Sequence, residues 1–537
     1  MWTKSKAALK SNKLQKFFTR SITITTSVIC LVFLAVLAFP ASYHVAGQDK
    51  YADKFTEMNT FVNSIMEEDN IPGVSVVIVQ GNETVFAQGY GITSINNPKP
   101  VDEETIFTLA SVSKSFTALG VLLLRDEGLL NIDKPVVYYL PDFSLANKED
   151  SDKITVRQLL THTSGIGGSM AEPLGYFDGP DAMSEMVADL RGLTLNNPPG
   201  DTFQYSNLNY FLLGAVVEAA SGQLFEDYMQ EAVFTPLGLT RTTLKPEQAE
   251  EWGSAYGHQP VFGQIVERSM PVFRSATPAG WVMSNATDMS RWLELFLNEG
   301  SIDGNQLIKS ETIKEMLTPA TFYEKDGKLI GYGMGWLIDA DSNGITLMWH
   351  GGDSPSFLAD MLILPDYEVG VAVMVNSQTG TQGHSIAPGL VNIFLDIELE
   401  QIHQPWWAHW ETIDAFSFPI FILVLLLIIG LGLFLWRVIR KIRSGNYVVI
   451  KRNVRAKWLP PWLFALYNAP LVTCCLLIAA GYAVFNWIYG YNIFMVVGNI
   501  FLVAPPSIWI AVVSMIALVL LWSLTLSAAA IVIRYKD

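Results

Sequence analysis

The chain has 537 residues, half of them hydrophobic, and a formal net charge of -16, which is more than one ordinary domain and apolar enough to hold membrane segments beside a globular part. The charge is uneven: residues 48–411 carry 19 bases against 49 acids, a net of -30, and a region so acidic repels polyanions, which excludes nucleic acid as a partner. The three cysteines, Cys30, Cys474 and Cys475, all sit in apolar stretches, so the globular part has no disulfide, thiolate nucleophile or cysteine metal site.

Residues 1–47 read as a basic cytoplasmic tail and an apolar run at 22–39, a signal peptide or retained signal anchor that delivers the rest of the globular part outside the cytoplasm. Ile29 stands before Cys30, where a lipid-attachment site wants a small residue. Residues 48–400 form one large domain without a long linker or a repeat. It opens with a helix predicted over 51–68 and two β-rich runs, 73–79 and 85–90, around Gly81-Asn82, the mark of a hairpin. Further β-rich runs at 345–349, 357–364 and 369–375 close the domain. Strands at both ends with helices between predict an antiparallel sheet assembled from the two ends.

Three constellations carry chemistry. Ser111-Val112-Ser113-Lys114 precedes a helical run at 115–127, and a spacing of three on a helix puts hydroxyl and amine on one face, where the amine can take the proton or stabilise an alkoxide. Standing alone, the pattern more often means a capped helix with a solvated lysine. Tyr205-Ser206-Asn207 follows Pro198-Pro199-Gly200 and precedes a helical run at 210–220. A phenol beside the lysine can pass a proton to a leaving group, and the Asn207 amide can orient the lysine or a substrate carbonyl. The plainer alternative is a packed tyrosine whose hydroxyl satisfies a turn. His350-Gly351-Gly352 ends a predicted strand; its glycines admit a substrate backbone, and the amide of Asp353 can point at an oxyanion, although an isolated His-Gly-Gly is usually only a turn.

After this domain, residues 401–537 contain three apolar runs, 416–436, 461–485 and 501–533, each with the ~20 residues needed to span a membrane. The loop between the first two holds Arg437, Arg440, Lys441, Arg443, Lys451, Arg452, Arg455 and Lys457 and no acid, which fixes it in the cytoplasm and the domain outside. Trp406, Trp407 and Trp410 mark the outer interface, and no charged residue lies within the spans. The spans read as an anchor in the lipid bilayer; a docking surface for a partner or lipid-like substrate is the alternative.

The order of the three motifs resembles the serine hydrolase family of class C β-lactamases, low-molecular-mass penicillin-binding proteins, D-aminopeptidases and related esterases. Matching segments include Thr155-Val-Arg-Gln-Leu-Leu-Thr-His-Thr-Ser-Gly165, Leu129-Leu-Asn-Ile-Asp-Lys-Pro135, Pro199-Gly-Asp-Thr-Phe-Gln-Tyr-Ser-Asn207 and Gly331-Tyr-Gly-Met-Gly-Trp336. The resemblance implies an α/β (α+β) fold: a β-lactamase/transpeptidase-like antiparallel sheet flanked by helices, with an inserted helical subdomain; the apolar runs add three transmembrane helices after it. It implies Ser111 as nucleophile, Lys114 and Tyr205 as acid–base pair, the amides of Ser111 and Asp353 as oxyanion hole, and no metal or cofactor. His162 falls in a segment that looks structural and is expected to be a buried, satisfied histidine.

Where β-lactamases of this family show Lys-Thr-Gly, this chain has His350-Gly351-Gly352, which suits D-aminopeptidase-like or esterase-like relatives better. An exported domain of this kind followed by three spans is similar to the colibactin-type maturation peptidases, with Ser354 where they carry an asparagine that binds D-asparagine. The expected activity is a D-stereoselective peptidase or amidase on a peptide-like or cell-wall substrate. An esterase on D-alanyl esters and a β-lactam-binding receptor are the alternatives, and the oligomeric state is open.

Overall fold

The computed structural model describes residues 48–444, 447–449, 506–529 and 533–535, less 168–176, 269, 326, 341–343, 379–382 and 400–409. The apolar run at 22–39, the predicted span at 461–485, and Trp406 and Trp407 lie outside the described residues. The chain divides into two units, Met1–Phe55 and Thr56–Asp537; of the first, only the start of helix α1 (Gln48–Glu68) is described.

The second unit is built on an eight-stranded antiparallel sheet. Strands β1 (Gly73–Gln80) and β2 (Glu83–Gly91) form the predicted hairpin, with Gly81 at φ +59 in its turn. A separate hairpin, β3 (His258–Val261) and β4 (Gln264–Glu267), interrupts the helical block. The sheet resumes with β5 (Thr321–Lys325), β6 (Lys328–Tyr332), β7 (Leu337–Ala340), β8 (Thr346–Asp353), β9 (Leu358–Leu364) and β10 (Val369–Val375). Its order is β2-β1-β10-β9-β8-β7-β6-β5, so the domain's first strands do pair with its last, Val74 opposite Val375 through Gln80 opposite Val369. The sequence did not place β5–β7, which extend the sheet beyond β8.

Every residue of β9 and β10 is buried, as is nearly all of β1, so both faces of the sheet are covered at its centre, whereas the edge strand β2 buries only Phe86 and Tyr90. Between the two groups of strands come helices α2 (Ser113–Asp126), α3 (Asn207–Ser221) and α4 (Ala286–Leu297), and after them α5 (Ile386–Leu395). The predicted apolar face of α2, from Phe116 to Leu124, is fully buried, and Phe116 stacks on Trp292 of α4 at 3.7 Å between ring centroids. That packing ties the N-terminal part of α2 to α4, which itself lies on β1 and β10.

Two further helices, α6 (Trp410–Arg443) and α7 (Pro506–Ala529), contain the whole of the first expected span and part of the third. They pack together, with Ser507 hydrogen-bonded to Asp414 at their N-terminal ends. Beyond their C-terminal ends, strand β11 (Tyr447–Val449) pairs with β12 (Ile533–Tyr535), so the two helices run in the same direction. Among the described residues one stretch, Ser417–Lys441, is long and apolar enough to cross a membrane.

Candidate active site

Ser111 lies one turn before α2, in a short 3-10 turn over Ala110–Val112, and not on the α-helix that its spacing predicts. Residues three apart eclipse in a 3-10 turn, so the pairing survives: Lys114 Nζ is 3.0 Å from Ser111 Oγ. The same amine donates to the carbonyl of Ala279 at 2.8 Å. Lys114 has no exposed surface, and burial lowers its pKa well below the ordinary lysine range. A neutral amine beside a hydroxyl is a ready proton acceptor. Ala110, just before Ser111, has φ +44, an uncommon conformation for a residue with a Cβ, and the turn approaches β8 so closely that a Cβ on Gly352 would lie 2.3 Å from the Leu109 carbonyl oxygen.

Tyr205 is held from both sides by His162. The N–H of Gln204 donates to the His162 carbonyl at 2.8 Å, and the N–H of Ser206 to its Nδ1 at 3.2 Å. Asn209 also contacts Nδ1, at 3.0 Å, and is itself bonded to Ser164. The imidazole is fully buried, 4.4 Å from the Tyr205 ring, and burial followed by the nearby Lys114 charge lowers its pKa well below the usual value. His162 is therefore neutral and buried as the sequence suggests, but satisfied only at Nδ1, since its buried Nε2 has no hydrogen-bond partner; it sets the loop that presents Tyr205. The Lys114 amine sits 4.9 Å from the centroid of the Tyr205 ring, whose hydroxyl interacts with Ser111. Desolvation raises the phenol above its ordinary pKa, so it stays protonated at neutral pH. Asn207 opens α3 and lines the pocket, while the hydrogen bonds described for Lys114 go to Ser111 and Ala279.

Strand β8 does not stop at His350 but runs through Gly351 and Gly352 to Asp353. Burial and then the Lys114 charge hold His350 down to a pKa of about 3, and its ring lies 6.2 Å from that of Tyr205. Ser354 is 8% exposed and spends its hydroxyl on the turn, accepting from the Phe357 N–H at 2.9 Å and donating to the Phe357 carbonyl at 3.1 Å. Ser111, Asn207, Asp353 and Ser354 border an open pocket of about 670 Å3 whose other walls include Phe211, Met270, Phe273 and Trp281. Sequence reasoning missed those walls and the Ala279 carbonyl; a backbone acceptor leaves no mark in a residue pattern. Among the described residues no three His, Cys, Asp or Glu side chains converge as metal ligands.

The profile of the family described as Beta-lactamase matches residues 58–394. The chain belongs to the beta-lactamase family. The match takes in Ser111, Lys114, Tyr205 and the His350–Ser354 segment and leaves out α6 and α7. Among its relatives, Protein flp of Staphylococcus aureus (strain MRSA252) is 26% identical over 325 residues, 60% of this chain and 63% of that protein. Penicillin-binding protein 4 of Amycolatopsis lactamdurans is 29% identical over 327 residues, 59% of this chain and 84% of that one. Among solved structures, the octameric penicillin-binding protein homologue from Pyrococcus abyssi is similar with a TM-score of 0.56 and 27% identity, over 64% of this chain and 78% of the other. This beta-lactamase family member thus spans about 63% of the length of the flp protein.

Proposed function

We propose that the protein is a membrane-anchored serine hydrolase that works through an acyl-enzyme at Ser111 on peptides or amides containing a D-amino acid. The observation that carries this reading is the fully buried Lys114 amine 3.0 Å from the Ser111 hydroxyl. Ser111 Oγ attacks the substrate carbonyl carbon as its proton passes to Lys114. The oxyanion faces the N–H groups of Ser111 and Asp353. The bond to the leaving group breaks as the Tyr205 hydroxyl delivers a proton to it, and Tyr205 recovers that proton from Lys114. Water then repeats the sequence on the ester and frees Ser111.

Among the described pocket-lining residues none is cationic, so a free substrate carboxylate finds no counter-ion there. This favours a neutral acyl donor and keeps an ester substrate as the second reading. The anchor is supported by the exposed apolar surface of α6, where Leu423 and Leu426 are 58% and 60% exposed. It is supported too by the common direction of α6 and α7, which requires the chain between them to return across the same thickness.

The test is to incubate the membrane-embedded protein and Ser111→Ala with an N-acyl-D-amino-acid amide, acyl-D-Ala-D-Ala, a D-alanyl ester and a cephalosporin, following product and intact mass together. Turnover of one class, abolished in Ser111→Ala, is the expected result. An adduct without turnover supports a receptor instead, and neither adduct nor product across the panel rejects the assignment.

A further inference from the structure

Successive residues of a strand face opposite ways, so where His350 and Gly352 face the site, Gly351 and Asp353 face the other side of β8. There His384 stands between two carboxylates. Its Nδ1 lies 2.8 and 2.9 Å from the two oxygens of Asp360, and its Nε2 lies 3.1 Å from Asp353 Oδ1. Gln378 Nε2 donates to the same Asp353 oxygen at 3.0 Å.

Asp360 sits on β9 directly opposite Gly351. A Cβ on Gly351 would come within 3.3 Å of Asp360 Oδ1 and 3.6 Å of His384 Cε1. The His384–Asp360 pair therefore packs directly over Gly351, where an added Cβ would press slightly on the Asp360 carboxylate. Asp360 is 6% exposed, and a buried carboxylate is retained only with a partner. Both imidazole nitrogens face carboxylate oxygens, so both carry protons when the contacts are made.

We propose that His384, held by Asp360, is a positioning residue for the oxyanion hole: its grip on the Asp353 carboxylate fixes the Asp353 backbone N–H opposite that of Ser111. The proposal rests on the acyl-enzyme reading. The mechanism uses the Asp353 amide and not its side chain; the side chain is the handle by which the end of β8 is held. Burial opposes the charge on His384, but Asp360 and then Asp353 outweigh it and raise the pKa well above the usual histidine value, so the imidazole is cationic at neutral pH.

The test uses the full-length protein in detergent or nanodiscs, with active sites counted by end-point labelling of Ser111 with a fluorophosphonate. Deleting an oxyanion donor outright costs about 10²–10³-fold in kcat; displacing one in His384→Gln or Asp360→Asn is expected to cost about 10–100-fold per labelled site. Affinity for a boronic-acid analogue should weaken by a similar factor, with KM changed less than about twofold. Asp353→Ala keeps the backbone amide and removes only the handle at a side chain 56% exposed, so it reads the same effect if the buried variants fold poorly. A kcat per labelled site within about twofold of the parent in Asp353→Ala and in whichever buried variants fold, or a rise in KM alone, overturns the proposal. Absence of labelling and of turnover in the unmodified protein instead rejects the acyl-enzyme reading, and the positioning role with it.

Discussion

Lys114 has no exposed surface, and the pH dependence of the reaction follows from that. Burial lowers its pKa, so the free amine exists at pH values where an ordinary lysine is charged. Below the lowered value the amine is protonated and cannot accept from Ser111; above it, it can. The kcat/KM profile therefore rises with pH along an acid limb that belongs to Lys114. His350, held at a pKa of about 3 by burial and by Lys114, stays neutral across the working range and adds no limb at ordinary histidine pH. His350→Gln should keep the acid limb. Lys114→Arg, charged at every accessible pH, should lower turnover by about 10²–10⁴-fold, the usual worth of general acid–base catalysis. A limb that moves in His350→Gln would assign the proton transfer to the histidine instead.

The β3–β4 hairpin shows what an element can demand of a distant residue. Its two turn residues, Phe262 at φ +52 and Gly263 at φ +77, both have positive φ, the conformation of a tight hairpin turn that favours Asn-Gly. A phenylalanine there is uphill, and Asp414 at the start of α6 offsets it. The carboxylate accepts from the N–H of Phe262 at 2.9 Å and of Gly263 at 2.6 Å, and the Phe262 ring lies 5.2 Å from that of Phe421 on α6. Asp414→Ala leaves both donors without that carboxylate, so amide exchange across residues 258–267 should quicken by about tenfold or more, the ratio for ~1.4 kcal/mol. Unchanged exchange would show that Asp414 does not hold the turn. Little of this is legible in the sequence. The β1–β2 and β9–β10 strands and α2 announce themselves as apolar runs bounded by turn residues, and burial then confirms them. Strands β5 and β6 do not, because as short outer strands they expose Phe322 by 55% and Leu329 by 66% among lysines and glutamates. The proximity of Ser111 and Lys114 can be read from their spacing, and Tyr205 from its place in the ordered motifs. The His384 bridge cannot, since its partners lie 24 and 31 positions away on separate strands with no spacing to mark them.

At the scale of the whole molecule, charge and helix direction favour one orientation of the proposed anchor. The last turn of α6 holds Arg440, Lys441 and Arg443, and β12 carries Arg534, a cationic end of the kind the positive-inside rule keeps in the cytoplasm. The opposite end of α6 carries Asp414 and meets the β3–β4 hairpin, within residues 48–411 whose net charge is -30. With α6 and α7 running in one direction, the proposed anchor puts Ser444 and Arg534 on one side of the bilayer and Asn305, exposed in the domain built on the eight-stranded sheet, on the other. Single cysteines at these three positions, in a background with Cys30, Cys474 and Cys475 replaced by serine, make this measurable with a membrane-impermeant maleimide. Asn305→Cys is expected to label on intact cells, and Ser444→Cys and Arg534→Cys only after permeabilisation. Labelling of Arg534→Cys from outside would break the common direction of the two helices and remove the need for the chain between them to return, whereas labelling of all three would leave α6 lying on the membrane and not through it.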